Sequence, residues 1–210
     1  MTQLRNLEAA VLDDWGILPG RLVVISGPSG SGKSTLARRV LEVPDVFAVL
    51  STSATTRAPR PGEVDGRDYD FLTLERFGSD IEKGAFLEWA EVHGNLYGTP
   101  AATVRESLVA GRCVILEIDV QGGFQVLEKV PSTILIFVNT PSFETLEARL
   151  RSRESDDEAT IQRRLATARH ELTFAERYHH QLTNDNLEQA VAALAGLLIQ
   201  LCPTGVPRDV

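Results

Sequence analysis

The chain reads as an α/β protein: a parallel sheet flanked by helices, interrupted by an inserted lobe and by a charged loop. Three observations carry this. Apolar runs rich in β-branched residues at 22–25, 113–118 and 133–138 have the near-continuous apolar character of strands buried on both faces. Helical spacing at residues 104–110, 124–129 and 143–150 alternates with them, the rhythm of strands joined by helical crossovers. Between about residues 53 and 99 that rhythm fails, so this stretch is predicted to be a lobe inserted into the sheet domain.

Taken in order, residues 4–12 repeat apolar side chains at helical spacing until Pro19-Gly20 breaks the pattern, which predicts a short leading helix. The strand at 22–25 runs directly into glycines, and residues 34–42 look helical. In the lobe, Arg57-Ala58-Pro59-Arg60-Pro61-Gly62 is turn-rich, while Tyr69-Asp70-Phe71 and residues 86–92 read as short strands. Residues 151–160 are highly charged without apolar anchors and are expected to form a mobile surface loop. A long helix over 159–178 and a last one over 187–201 complete the core, before a frayed tail at 202–210. The expected division is an extension at 1–20, a core built from 21–52, 100–150 and 165–201, the lobe at 53–99 and the loop at 151–164.

Two hundred and ten residues, 43% hydrophobic and 24% charged, suit one compact domain with an insertion and argue against a disordered or fibrous polymer. With 21 basic and 29 acidic residues the formal charge is −8, which disfavours binding to nucleic acid or an anionic membrane. Any anionic ligand must therefore meet a local basic site on an acidic body. Cys113 and Cys202 form no C-x-x-C pair, suggest no zinc and are expected to supply no disulfide framework. A reducing, cytoplasmic setting follows as the default. The longest apolar run, 190–199, is shorter than the roughly 20 residues a bilayer span needs. Residues 9–12, flanked by Glu8 and Asp13, are too brief and too acidic for a signal peptide.

Gly27-Pro28-Ser29-Gly30-Ser31-Gly32-Lys33-Ser34 matches G-x-x-x-x-G-K-[ST], directly after a predicted strand and before a predicted helix. Backbone N–H groups must turn inward around a phosphate chain, and side chains at the glycines would block that approach. The following helix adds the positive end of its dipole. Lys33 can reach the β- and γ-phosphates, the Ser34 hydroxyl is placed for a bridging Mg²⁺, and Thr35 completes the first turn. Arg57 and Arg60, stiffened by prolines and followed by Tyr69, can clamp a second phosphate. Glu117 and Asp119 alternate with apolar neighbours at a strand end, toward the carboxyl edge where ligands bind in such sheets. Strand-end carboxylates that merely cap the next helix are the other reading.

In the order of these motifs the sequence resembles guanylate kinases. The landmarks are residues 27–34 and 53–62, Phe86-Leu87-Glu88-Trp89-Ala90, Gly94-Asn95-Leu96-Tyr97-Gly98-Thr99, Leu116-Glu117-Ile118-Asp119-Val120-Gln121-Gly122 and Asn184-Asp185. The resemblance spans about residues 21–201. It implies a P-loop NTPase core, a GMP-holding lobe at 53–99 and a lid at 151–164, working on ATP and GMP with Mg²⁺, as a monomer or small homo-oligomer. It assigns Arg57, Arg60, Tyr69 and Tyr97 to the GMP phosphate, and Ser53, Glu88 and Thr99 to the guanine. Asp119 would hold Mg²⁺ through water and touch the acceptor, with Glu117 the weaker candidate. Arg149, Arg153 and Arg164 match the transition-state arginines, and Asn184 a residue near adenine. His179-His180 stands where the family often has an acidic residue beside tyrosine. The competing expectations are an inactive scaffold of the same fold that binds peptides, and a P-loop kinase for another small phosphorylated acceptor.

Overall fold

A computed structural model describes residues 15–92, 94–152 and 157–202. The helix expected over 4–12 and the tail beyond Cys202 lie outside these residues. Strand β1 (Arg21–Ser26) is buried after its first residue and pairs in parallel with β7 (Cys113–Glu117) on one side and β8 (Ile134–Asn139) on the other. Two strands the sequence did not disclose extend the sheet: β2 (Ala48–Leu50) beside β7 and β9 (His180–Thr183) beside β8. The five-strand order is β2-β7-β1-β8-β9, parallel throughout.

Successive side chains of β1 feed opposite faces, as strand geometry requires. Val23 and Ile25 join a cluster with Leu36 and Val40 of α1 (Lys33–Val40) and Leu194 and Leu198 of α7 (Leu187–Leu201). Leu22 and Val24 join the other, with Val104 and Leu108 of α3 (Ala101–Val109) and Val126 of α4 (Val120–Lys129). Helices on both faces explain why the strands carry so few polar residues.

The insertion forms a second sheet in the order β4-β3-β6-β5, from β3 (Ala54–Thr55), β4 (Asp70–Phe71), β5 (Phe86–Val92) and β6 (Asn95–Pro100). Helix α2 (Leu74–Glu82) closes over it, its first turn capped by the Thr73 hydroxyl, which accepts the Arg76 N–H at 3.2 Å. Phe77 of α2 stacks on Phe86 with ring centres 4.4 Å apart, the centre of a small separate core. The lobe is fastened to the sheet domain at Trp89. The Gln125 side chain of α4 accepts the Trp89 N–H at 3.3 Å and donates to its carbonyl at 3.0 Å.

Three expectations are corrected. The charged stretch 151–160 is not wholly a loop: α5 (Phe143–Arg151) and α6 (Glu158–Leu172) enter it from both sides. Ion pairs and a cap replace the missing apolar anchors. Arg151 bonds Glu147 at 2.8 Å and Glu158 at 2.7 Å, and Asp157 accepts the Thr160 N–H at 2.7 Å. The helix expected over 159–178 ends at Leu172, followed by a single tight turn at Ala175–Arg177. The chain bends there because Phe174 and Tyr178 both pack on Phe124, at 5.8 and 5.6 Å between ring centres. Finally, Cys113 and Cys202 are joined in a disulfide. They lie 89 residues apart in sequence, but α7 folds back over the sheet and brings both into one apolar cluster.

Candidate functional site

At the carboxyl edge of the sheet, a cavity of about 300 Å³ opens between the sheet domain and the lobe. Its floor is the glycine-rich loop after β1. Gly32 stands at the start of α1 with φ 89°, a left-handed conformation that glycine adopts without strain, and no side chain caps the helix. A helix start without a side-chain cap is a seat suited to an anion. The Lys33 ammonium lies across the loop, donating to the carbonyls of Gly27 at 2.6 Å and Pro28 at 3.1 Å. Gly27, Ser29, Gly30, Gly32, Lys33, Ser34 and Thr35 line the cavity. Pro28 and Ser31 are buried and do not line it. Instead the Pro28 carbonyl accepts the Ser31 N–H at 3.1 Å, holding the turn.

The two strand-end carboxylates play unequal parts. Glu117, the last residue of β7, accepts the Ser34 hydroxyl at 2.5 Å. Asp119 caps α4 and accepts the Gly122 N–H at 2.7 Å. Burial pushes its carboxyl up, while that N–H and the Lys33 charge pull it down. Both line the cavity, but it is Glu117, the weaker candidate by sequence, that meets the hydroxyl of the cradle.

The opposite wall belongs to the lobe. Glu88 and Thr99 face each other in the β5–β6 ladder, and the Thr99 hydroxyl donates to Glu88 at 2.5 Å in a buried setting. Burial pushes the Glu88 carboxyl up to about 7, against the pull of the Thr99 bond. Its other oxygen lies against Gly122 of α4, where an added Cβ would sit 2.5 Å away. Ser53, Arg60, Tyr69 and Tyr97 line the same wall, the two tyrosine rings 6.0 Å apart edge to face. Arg57 is placed differently from Arg60. Its guanidinium grips both oxygens of Glu63 at 3.0 and 2.9 Å and does not line the cavity.

From the third side, α6 contributes Arg164, Thr167 and Glu171 to the lining. Glu171 was not anticipated. Its signal was available, since it falls two helical turns after Arg164 on the same face. Burial pushes its carboxyl up to about 7, opposed by the Lys33 charge and a hydrogen bond from the Ser29 N–H. Arg149 reaches the Asn184 carbonyl at 2.9 Å, and neither residue lines the cavity. Arg153 lies outside the described residues.

A glycine loop and helix N-terminus at the carboxyl edge of a parallel sheet, with a lysine folded over them, define a P-loop nucleotide-binding protein. The family model for guanylate kinase matches residues 19–201. Among the most similar curated proteins is a guanylate kinase of Rubrobacter xylanophilus, 49% identical over 90% of this chain and 98% of its own length. Another, from Gloeobacter violaceus, is 52% identical over 87% of this chain and 89% of its own. The crystal structure of guanylate kinase from Anaplasma phagocytophilum superposes with a TM-score of 0.73 at 33% identity, covering 88% of each chain. This chain belongs to the guanylate kinase family.

Proposed function

We infer that this protein transfers the γ-phosphoryl group of ATP to GMP, and to dGMP, giving ADP and the nucleoside diphosphate. The observation that carries this reading is a single cavity lined at one end by Gly32, Lys33 and Ser34 and at the other by Arg60, Tyr69 and Glu88. One end suits a triphosphate; the other suits a phosphorylated nucleoside. An acceptor phosphate oxygen would attack the γ-phosphorus as its bond to the bridging oxygen breaks, and ADP would leave. No covalent enzyme intermediate is needed, because alignment and charge neutralisation lower the barrier.

Each residue has a stated task. Lys33 and the α1 N-terminus bind the donor phosphates; Arg60, Tyr69 and Tyr97, with Arg57 released from Glu63, bind the acceptor phosphate. Arg164, with Arg153 of the 151–164 lid and Arg149 of α5 once released from the Asn184 carbonyl, neutralises the charge spread over the transferring group. Ser53, Glu88 and Thr99 read the base. Guanine presents N1–H and N2 donors to the Glu88 carboxylate, whereas adenine presents a lone pair at N1. A wrong ligand that leaves such a buried group unpaired is rejected on the order of 10⁴-fold.

Mg²⁺ fits the donor set. Ser34 and Glu117 place a hydroxyl and a carboxylate side by side, oxygen donors suited to a hard cation. No group of three or more His, Cys, Asp or Glu able to hold a metal occurs among the described residues. Ser34 would bind it directly, with Glu117 and Asp119 through water. When bound it would neutralise the phosphate charge.

No helix among the described residues is long and apolar enough to cross a membrane. We place the activity in purine nucleotide metabolism; the Cys113–Cys202 disulfide removes the argument from the cysteines for a reducing cytoplasmic setting. The intact Gly32-Lys33-Ser34 cradle disfavours the scaffold alternative. A coupled assay of ADP release with ATP, Mg²⁺ and each of GMP, AMP, CMP and UMP tests the proposal. Turnover with GMP alone is expected. Equal rates on AMP and GMP would remove the guanine-reading set, and no turnover at all would favour the scaffold.

A further inference from the structure

Asn184 sits just beyond β9 and is 5% exposed. Three elements converge on it. Its backbone N–H donates to the Asn139 carbonyl at 2.8 Å, extending the ladder at the end of β8. Its side-chain amide donates to the Ser31 carbonyl at 2.8 Å, in buried surroundings and across 153 residues of sequence. Its own carbonyl accepts the Arg149 guanidinium at 2.9 Å. The amide nitrogen also occupies the space that a Cβ on Gly32 would need.

Gly32 and Lys33 line the ligand cavity and Asn184 does not. The Ser31–Gly32 peptide leads directly into α1, which starts at Lys33, and Gly32 is its N-cap residue. Ser31 is fully buried, so without the Asn184 amide its carbonyl would lose a hydrogen-bond donor where no water replaces it cheaply. We propose that Asn184 is a positioning residue of the phosphate cradle, its amide locking the Ser31–Gly32 peptide, rather than a contact to the adenine base. The proposal rests on the reading of the cradle as the triphosphate seat.

A donor without a base separates the two roles. The dissociation constants of MgATP, of magnesium tripolyphosphate and of GMP are measured for the wild type and for Asn184→Ala. A positioning role predicts that ATP and tripolyphosphate weaken together, each by about tenfold, while GMP stays within about twofold and the KM for ATP rises with them. Asn184→Asp, which puts an acceptor against the Ser31 carbonyl, is expected to weaken both phosphates at least as far. Asn184→Ser, which keeps a donor, serves if the alanine variant does not fold and is expected to retain part of the affinity. Weaker ATP with unchanged tripolyphosphate would assign Asn184 to the base and overturn the proposal. Equal weakening of GMP would reduce it to a general structural role, and no change would remove it. Lys33→Ala is the control for the underlying reading: unchanged tripolyphosphate affinity there would mean that the cradle is not the triphosphate seat.

Discussion

The Ser34 hydroxyl and the Glu117 carboxylate meet at 2.5 Å, joining the first turn of α1 to the end of β7. The pair offers two hard oxygens on adjacent elements, so Glu117→Ala is expected to raise the Mg²⁺ concentration for half-maximal rate by about tenfold, within the range known for groups that orient a metal's ligands. GMP affinity measured without metal should not move. Rates titrated against free Mg²⁺ check this, and an unchanged requirement would detach Glu117 from the ion.

Lys33 donates to two carbonyls of the loop it serves, yet its charge is the feature a triphosphate would use. Lys33→Ala should lower kcat by about 10²-fold or more while the protein stays folded. Circular dichroism and single-turnover rates would decide; near-normal turnover refutes the role.

Gly122 tests how closely Glu88 must be seated. A methyl group there would meet the Glu88 oxygen at 2.5 Å, so Gly122→Ala should push the carboxylate off its position and raise the KM for GMP by about tenfold, a one-hydrogen-bond loss. The dissociation constant of ATP measured without metal should be unaffected, the methyl's other close neighbour being Asp119 at 3.3 Å, a group assigned to the ion. Parallel losses for both nucleotides would point to general disruption of α4.

Two buried carboxyls set a pH dependence. Burial pushes both Glu88 and Glu171 up to about 7, so between pH 5 and 7 the folded protein holds protons that the unfolded chain has already released. Stability from these groups is full below their unfolded range and lost as pH rises through about 7. The melting temperature of the ligand-free protein should therefore fall from pH 5 to pH 8, with a shallower fall in Glu88→Gln combined with Glu171→Gln. Thermal scans across that range answer the question; a slope that the double variant leaves intact would assign it to other groups. GMP binding should show the opposite trend, because guanine needs the ionised Glu88. Affinity should drop by about tenfold per unit below Glu88's titration, and Glu88→Gln should abolish that part of the dependence.

The phosphate cradle was legible in the sequence because its chemistry fixes the residue types one by one, with β1 and α1 as confirming neighbours. Interior strands were legible for a similar reason, since burial on both faces leaves an apolar run. Edge strand β9, His180-Gln181-Leu182-Thr183, alternates half-buried and exposed residues over four positions and offered no such run. Helix α2 was hidden inside a lobe read as turns and short strands, although Thr73 as cap with Phe77 and Ile81 one turn apart could have disclosed it. What sequence could not supply was contact between distant segments. Cys113 with Cys202, Gln125 with Trp89, and Asn184 with Ser31 become neighbours only once the crossovers have folded over the sheet.

Helix α6 carries Arg164 and Glu171 seven residues apart, about 10 Å along its axis. One side chain brings a cation to the cavity and the other an anion toward the Ser29 N–H. Both ride on a rod whose apolar stripe, Ile161, Leu165 and Ala168, is seated on Leu146 and Leu150 of α5. Such a rod would act as a lever with two working ends: a tilt that moved the arginine would also move the carboxylate over the loop beneath. Evolution or engineering that retunes one stroke of this lever inherits the other.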